Sequence, residues 1–381
     1  MTKPFVVLLL LLTQSLPASP AEPSRTTVDS DGTVHIPAFA VPLSRYMSEQ
    51  AKQMFIDEAL KPKATKANSS DGIPPIAKLR AKVDDWIRPM VEKAKILYPV
   101  NIEERKIGGV RTIVVTPKDG VSEKNSKRVL INLHGGGFRV GAGLHGEAES
   151  IPVACVAKIR VITVDYRMAP EYSFPAASED VASVYAELLK EYRAEDIGIY
   201  GCSAGGVLTS MAVAWLQKEK LPTPGAICMF SAGAFGSFSG SPGDSNTWGG
   251  DSRYVAPPLV GESPLPLHSV NAVAGAMDYI GNTDPKDPLV SPALSSTILA
   301  KFPPTLLLTG TRAYDMSAVV QTQRELTKAG VEANLHLWDG LGHAFYLYPE
   351  LPESKEAYAV IADFFNSHLG ISPPASVVSR N

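Results

Sequence analysis

A serine set between small residues is the first feature of this sequence that could do chemistry. The run Gly201-Cys202-Ser203-Ala204-Gly205 follows a short apolar segment and precedes a helical pattern. A nucleophilic serine stands on a sharp strand-to-helix turn, where residues two positions away must be small because backbones approach closely there. The pattern predicts Ser203 as a nucleophile. A glycine-rich helix start with a capping serine is the alternative.

A second glycine run, His134-Gly135-Gly136-Gly137-Phe138, ends an earlier apolar segment. An oxyanion formed during acyl transfer needs backbone N–H donors that can approach it without an intervening Cβ. Consecutive glycines meet this need, although a flexible turn would have the same composition. The presence of both motifs, in this order, favours a donor loop.

A histidine follows the last predicted strand, in the run Gly342-His343-Ala344-Phe345. A loop histidine at the carboxyl edge of a sheet can reach a serine hydroxyl, so we predict His343 as the general base, with an ordinary surface histidine as the alternative. The other histidines lack this context and are interpreted as structural or surface residues: His35, His134, His145, His268, His336 and His368.

The acid of such a site holds the tautomer of the imidazole and stabilises the imidazolium. The order serine, acid, histidine places it between the apolar run 305–308 and His343. Asp315 fits this position. Two alternatives stay open: Asp315 caps a helix that begins near Ser317, or Asp339 is the acid.

Alternating apolar runs and helical patterns predict the elements that position these residues. Their order predicts an α/β protein with a doubly wound, mostly parallel sheet, which binds ligands at the carboxyl ends of its strands. We predict strands at 110–115, 129–133, 161–164, 197–200, 226–230, 305–308 and 334–338, and helices at 180–192, 207–217, 317–329 and 354–369.

Two amphipathic helices are predicted before the first strand, at 43–60 and 75–97. A stretch rich in Gly, Ser, Pro and Asp, 233–261, is too long for an ordinary connection and predicts a surface excursion, continuing to a helix near 269–280. Together these segments predict a cap over the sheet.

The amino terminus combines Lys3 with an apolar run, 5–12, and small residues up to Ala21. This pattern predicts a signal peptide at residues 1–21 and a secreted or periplasmic protein, with an uncleaved anchor as the alternative. The run is too short to be a stable membrane span. Residues 22–42 are polar and proline-rich, which predicts a loose arm.

Composition excludes several classes of function. The chain has 381 residues and a net charge of −3, so no basic excess favours binding to nucleic acid or to anionic lipid. The sequence contains no cluster with metal-ligand spacing, and neither a metal nor a cofactor is predicted. Three cysteines, an odd number, favour free thiols over a disulfide framework.

The motifs as a set resemble the hormone-sensitive-lipase-like family of α/β-hydrolase esterases, of the bacterial family IV type. The resemblance covers roughly residues 100–370 and depends on six matching segments: 134–138, 164–171, 174–177, 201–206, 287–292 and 342–345. Two positions depart from the family. Cys202 stands where Asp, Glu or Thr is common, and Ala313 follows Gly-Thr-Arg where some members have the acid.

The resemblance implies an α/β-hydrolase fold, with an eight-stranded sheet and a helical cap, and no cofactor. It implies an arm and cap helices at 22–100, and a catalytic domain at 101–375 with a cap insertion near 233–282. The implied catalytic triad is Ser203, Asp315 and His343, and the implied oxyanion donors are the N–H groups of Gly136, Gly137 and Ala204.

The expected function is therefore a serine carboxylesterase acting on small-molecule esters of short to medium chain. A non-catalytic receptor on the same fold is one alternative, and such a protein would be expected to lose a triad member, whereas this chain keeps His343. Cleavage of lactones, amides or carbamates by the same triad is another. An edge strand could pair across a two-fold axis, so a homodimer stays open.

Overall fold

The computed structural model describes residues 26–32, 34–35, 42–60, 75–236 and 278–371. The predicted signal peptide and most of the predicted insertion lie outside these ranges, so they stay predictions, as do the domain boundaries. Of the predicted helix near 269–280, only residues 278–280 are described, and these are helical. The chain divides into two units, Met1–Pro42 and Leu43–Asn381. Within the first, Thr27–Val28 pairs with Val34–His35 in a short antiparallel ladder.

The second unit contains an eight-stranded sheet, which confirms the predicted fold class. Its strand order is β1-β2-β4-β3-β5-β6-β7-β8; β1 and β2 pair antiparallel, as do β2 and β4, and all other pairs are parallel. The strands are β1 Val100–Ile107, β2 Val110–Pro117, β3 Val129–Leu133, β4 Arg160–Val164, β5 Ile197–Cys202, β6 Ala226–Phe230, β7 Thr305–Gly310 and β8 Ala333–Trp338.

Helices connect the parallel strands and cover both faces of the sheet. Among the described residues, no helix is both long and apolar enough to cross a membrane. The helices are α1 Glu49–Leu60, α2 Ile76–Leu97, α3 Leu144–Ala157, α4 Ala176–Leu188, α5 Ala204–Lys218, α6 Ser296–Leu299, α7 Met316–Lys328 and α8 Pro352–His368.

The four-residue helix α6 and the short ladder of the first unit were not predicted, and two longer elements, β1 and α3, were missed for opposite reasons. Strand β1 lies at the sheet edge, and most of its side chains are exposed, so its charged sequence lacks the apolar run of a central strand. Helix α3 is buried along most of its length and contains Pro152. It packs between the sheet and the helices α2 and α8, so it shows no polar face and no amphipathic stripe.

The first predicted helix began too early. Residues 43–48 precede α1, which starts at Glu49. The Ser48 N–H donates to Glu353 Oε1 at 2.6 Å, and the Ser48 hydroxyl donates to Glu353 Oε2 at 2.9 Å. These bonds connect the segment before α1 to the first turn of α8. The apolar residues at 43 and 47 that suggested a longer helix pack against the core from this non-helical segment.

Two hydrophobic cores lie on opposite faces of the sheet. Alternate residues of β3 divide between them: Ile131 and Leu133 belong to the core beneath α4, α5 and α7, whereas Leu130 belongs to the core that includes α1, α2, α3 and α8. A strand covered on both faces reads as a continuous apolar run, which is why the central parallel strands were recognisable in the sequence.

Candidate active site

Ser203 occupies a strained turn between β5 and α5. Its backbone has φ 54° and ψ −121°, a region in which non-glycine residues are held at a cost of about 1–3 kcal/mol. Its N–H donates to Phe230 O at 2.9 Å. A Cβ added at Gly201 or at Gly205 would overlap the carbonyl oxygen of Leu133. The flanking residues must therefore be glycine, because this turn packs directly against the end of β3.

The glycine loop after β3 forms a tight turn close to this serine. Gly136 has φ 114° and Gly137 has φ 62°, both in the region that favours glycine. Gly136 O accepts the N–H groups of Arg139 and Val140, each at 3.1 Å. Helix α2 holds the far side of the turn, where Leu79 and Val83 pack against Val140.

Ala204 is the first residue of α5, and the first N–H groups of a helix have no partner within it. Such donors, at the positive end of the helix dipole, suit a developing negative charge. The glycine loop follows β3, and Ala204 begins α5, so these N–H groups come from two parts of the fold that meet beside Ser203. Their role as oxyanion donors stays a prediction.

Asp315 and His343 form a pair in which the carboxylate is buried and the imidazole is half-buried. Asp315 Oδ2 lies 2.5 Å from His343 Nδ1, and the Thr309 hydroxyl donates to Asp315 Oδ1 at 2.5 Å. Asp315 stands directly before α7, yet its side chain makes no capping hydrogen bond. Both carboxylate oxygens are instead engaged by Thr309, at the end of β7, and by the imidazole. This geometry favours the role of an acid partner over that of a helix cap.

Asp339 is engaged elsewhere. The Ser44 hydroxyl donates to its Oδ2, and the Thr311 hydroxyl donates to its Oδ1 at 3.0 Å. The hydrogen bond from Ser44 holds the pKa of this carboxyl below its usual value. Asp339 therefore connects the segment before α1 to the end of β8.

The loop carrying His343 is held by a residue that sequence reasoning missed. The Ser231 hydroxyl accepts the N–H of Ala344 at 3.0 Å, and Ser231 itself follows β6. Ala344 has φ 55°, so its backbone is held in the left-handed region. A single serine after a strand is not distinctive in a sequence, and its partner lies 113 residues further along the chain, so no local pattern connects the two.

Tyr314 is the second residue that was missed. Its ring stacks on His343 with centroids 4.5 Å apart, and its hydroxyl lies 3.1 Å from His343 Nε2. The same hydroxyl hydrogen-bonds the side chain of Ser203. Tyr314 therefore connects the predicted base with the predicted nucleophile. Its position just before Asp315, in a loop that follows a parallel strand, was the signal that could have drawn attention to it.

Two side chains near the serine are buried and structural. His134 stacks on Tyr166 with ring centroids 4.3 Å apart, and the Tyr166 hydroxyl donates to His134 O at 2.6 Å. This agrees with the structural interpretation of His134. Burial raises the pKa of the Cys202 thiol well above its usual value, so the residue before Ser203 is a neutral thiol. The three cysteines are free thiols.

A buried glutamate on α3 holds the start of the glycine loop by a hydrogen bond. Glu149, on α3, accepts the N–H of Gly135 at 2.8 Å through Oε1 and the side-chain amide of Asn132 at 2.9 Å through Oε2. Burial raises the pKa of this carboxyl to about 8, against the opposing effect of its hydrogen bonds. The sequence did not indicate this role because α3 itself was not predicted.

We expect Glu149→Gln to remove the part of the pH dependence of folding stability that comes from this carboxyl, between about pH 4.5 and pH 8. The unfolded chain ionises this group near pH 4.5, whereas the folded protein keeps its proton until about pH 8. The folded state binds more protons between these values, so the contribution of Glu149 to stability falls as pH rises. Glutamine has no such group, and any change in hydrogen bonding it causes is independent of pH.

The measurement is the difference in melting temperature, wild type minus Glu149→Gln, between about pH 5 and pH 8. We expect this difference to shrink as pH rises. The matched control is Glu147→Gln on the same helix, which removes a carboxylate that faces Lys95 at 3.0 Å and should keep the wild-type slope. A difference that stays constant with pH would contradict the raised pKa.

Within the described ranges, no group of three His, Cys, Asp or Glu residues is arranged to hold a metal ion. The groups brought together at the carboxyl ends of β3, β5, β6, β7 and β8 are hydroxyls, an imidazole, a carboxylate and backbone amides. This set suits acid–base and nucleophilic chemistry on a carbonyl compound.

Comparison with known proteins identifies relatives of this arrangement. The model of a family described as having the alpha/beta hydrolase fold matches residues 130–347. An esterase of Acinetobacter venetianus is 27% identical over 292 residues, which cover 74% of this chain and 88% of the relative.

Solved structures of esterases match a larger share of this chain. The crystal structure of an esterase is 30% identical, with a TM-score of 0.70, and the match covers 88% of this chain and 98% of that one. An esterase from the bacterial hormone-sensitive lipase family is 26% identical, with a TM-score of 0.65, and the match covers 84% of this chain and 97% of that one.

Proposed function

The chain belongs to the α/β-hydrolase fold family, as a carboxylic ester hydrolase of the hormone-sensitive-lipase-like group, and on this premise we propose that it cleaves short- to medium-chain esters through Ser203, His343 and Asp315. The observation that carries the proposal is the contact of 2.5 Å between the buried Asp315 carboxylate and His343 Nδ1. It accompanies a serine on a strained turn, joined to the imidazole through Tyr314.

In the first half of the reaction, His343 Nε2 takes the proton of the Ser203 hydroxyl as Oγ bonds to the ester carbonyl carbon. The carbonyl electron pair moves to its oxygen, which the N–H groups of the glycine loop and of Ala204 stabilise. Each such donor is worth about 3–4 kcal/mol. Asp315 keeps the proton on Nδ1 and stabilises the imidazolium.

In the second half, the tetrahedral intermediate collapses and the bond to the alcohol oxygen breaks. His343 Nε2 returns its proton to that oxygen, the alcohol leaves and Ser203 carries the acyl group. Water then repeats the sequence: His343 takes a proton from the water as the water oxygen bonds to the acyl carbon. The bond to Ser203 Oγ then breaks, His343 Nε2 returns the proton to Oγ, and the carboxylic acid leaves. No cofactor takes part in these steps.

Two other functions compete with this proposal. A receptor that binds a small apolar ligand would not need a strained serine, whose cost a binding site has no reason to retain. The observed strain at Ser203 therefore favours catalysis. Cleavage of lactones, amides or carbamates uses the same groups, and only substrate tests separate it from ester hydrolysis.

A ladder of p-nitrophenyl esters, from acetate to palmitate, tests the proposed substrate class. We expect kcat/KM to peak at short to medium acyl chains and to fall steeply for long ones, because the predicted cap would limit the size of the apolar group that can bind. Release of p-nitrophenol measures the rate. A folded protein that cleaves none of these esters would contradict the proposal, and a peak at palmitate would contradict the chain length.

A further inference from the structure

Tyr314 occupies a position that the triad alone does not require. Its hydroxyl lies 3.1 Å from His343 Nε2, the atom that must receive and return the proton. The hydroxyl also hydrogen-bonds the Ser203 side chain. Asp315, the next residue, engages the opposite nitrogen of the same imidazole, Nδ1. Two consecutive residues thus contact the two nitrogens of the base.

The chemistry of ester cleavage puts the leaving oxygen within reach of this hydroxyl. In the tetrahedral intermediate, the leaving oxygen and Ser203 Oγ are bonded to the same carbon. The leaving oxygen must also come within hydrogen-bond distance of His343 Nε2 to be protonated. A donor that already contacts both Ser203 and Nε2 is therefore beside the place that the leaving oxygen takes.

We propose that Tyr314 is a further catalytic residue, whose hydroxyl donates a hydrogen bond to the alcohol oxygen of the substrate as that oxygen leaves. The inference rests on the proposed function, because it assigns a role within the same acyl-transfer step. As the bond between the acyl carbon and this oxygen breaks, its electron pair moves to the oxygen. His343 Nε2 transfers its proton there, and Tyr314 keeps its own proton throughout.

The environment of Tyr314 suits a fixed neutral donor. Stacking on His343 at an interplanar angle of 26° holds the ring in place. Desolvation, with the nearby Asp315 carboxylate as a second cause, raises the pKa of the phenol well above its usual value. The hydroxyl therefore keeps its proton at every pH at which the enzyme would work. The ring therefore stays in place, and once Nε2 is protonated the O–H has only to turn from that nitrogen to the leaving oxygen.

The test is Tyr314→Phe, assayed on ethyl butyrate and on p-nitrophenyl butyrate. Phenylalanine keeps the stacking and loses only the hydroxyl. Ethoxide is a poor leaving group that depends on stabilisation, whereas p-nitrophenolate leaves with little help. We expect kcat/KM to fall about tenfold more for the ethyl ester, the size of effect expected from one hydrogen bond. This parameter reports acylation, so deacylation of the shared acyl-enzyme does not mask the difference.

Tyr185→Phe is the matched control. It removes a buried hydroxyl that donates to Pro222 O at 3.0 Å, away from the site residues, and should leave the ratio of the two esters unchanged. Circular dichroism and titration of reactive serines with a fluorophosphonate correct for unfolded protein. An equal loss on both esters in Tyr314→Phe would overturn the inference and leave a structural role. Failure of the wild type on both esters would instead contradict the proposed function.

Discussion

Replacement of Ser203 by alanine is expected to abolish ester hydrolysis and leave the protein folded. The substitution removes the only atom that forms the acyl-enzyme, so we expect kcat to fall by about 10⁵-fold or more. Alanine carries a Cβ, as serine does, and it keeps the N–H that donates to Phe230 O at 2.9 Å. The strained turn therefore survives the change. Release of p-nitrophenol and the melting temperature are the two measurements.

The matched control for this prediction is Ser210→Ala. Ser210 is a buried serine of α5, the helix that follows Ser203, and its hydroxyl donates to Val207 O at 2.8 Å within that helix. Loss of this bond should lower stability slightly and leave turnover near that of the wild type. If Ser203→Ala kept substantial activity, the nucleophile assignment would be wrong, even with the fold confirmed.

Asp315→Asn is expected to lower kcat by about 10⁴-fold, the loss known when an amide replaces a triad carboxylate. The amide fills the same volume and can still accept the Thr309 hydroxyl. Its NH₂ group would then face His343 Nδ1, which becomes the acceptor. The proton of the neutral imidazole moves to Nε2, and Nε2 can no longer take a proton from Ser203. Steady-state rates on one p-nitrophenyl ester measure the loss.

Asp339→Asn distinguishes the two candidate acids. Asp339 contacts Ser44 and Thr311, so its amide variant disturbs only the connection between the segment before α1 and the end of β8. We expect turnover to stay within about tenfold of the wild type. The opposite order of effects, with Asp339→Asn inactive and Asp315→Asn active, would reverse the assignment of the acid.

Most of the sheet was predictable because its signals are local. Strands β3, β5, β6 and β7 are buried on both faces and appear as apolar runs. Helices α4, α5, α7 and α8 showed a helical period. The longer elements that were missed are an edge strand, β1, whose side chains are mostly exposed, and a buried helix, α3, which has no polar face. In both elements, the position in the fold hides the expected periodicity.

The sequence by itself determined the candidate groups of the site: a serine between glycines, a glycine loop, and a loop histidine after the last strand. These signals are short runs of particular residue types, so they can be recognised without a fold. The reason that Gly205 must be glycine is not local, because a Cβ there would overlap the carbonyl oxygen of Leu133, far earlier in the chain.

Only the tertiary structure decided which side chains meet. Asp315 rather than Asp339 contacts His343, Tyr314 joins His343 to Ser203, and Glu149 holds the glycine loop. The physical reason is that side-chain direction at the end of a strand depends on packing from distant segments. Whether a carboxylate after β7 caps α7 or turns to the histidine loop is set by where Thr309, Tyr314 and the loop after β8 lie in space, and no local pattern encodes that choice.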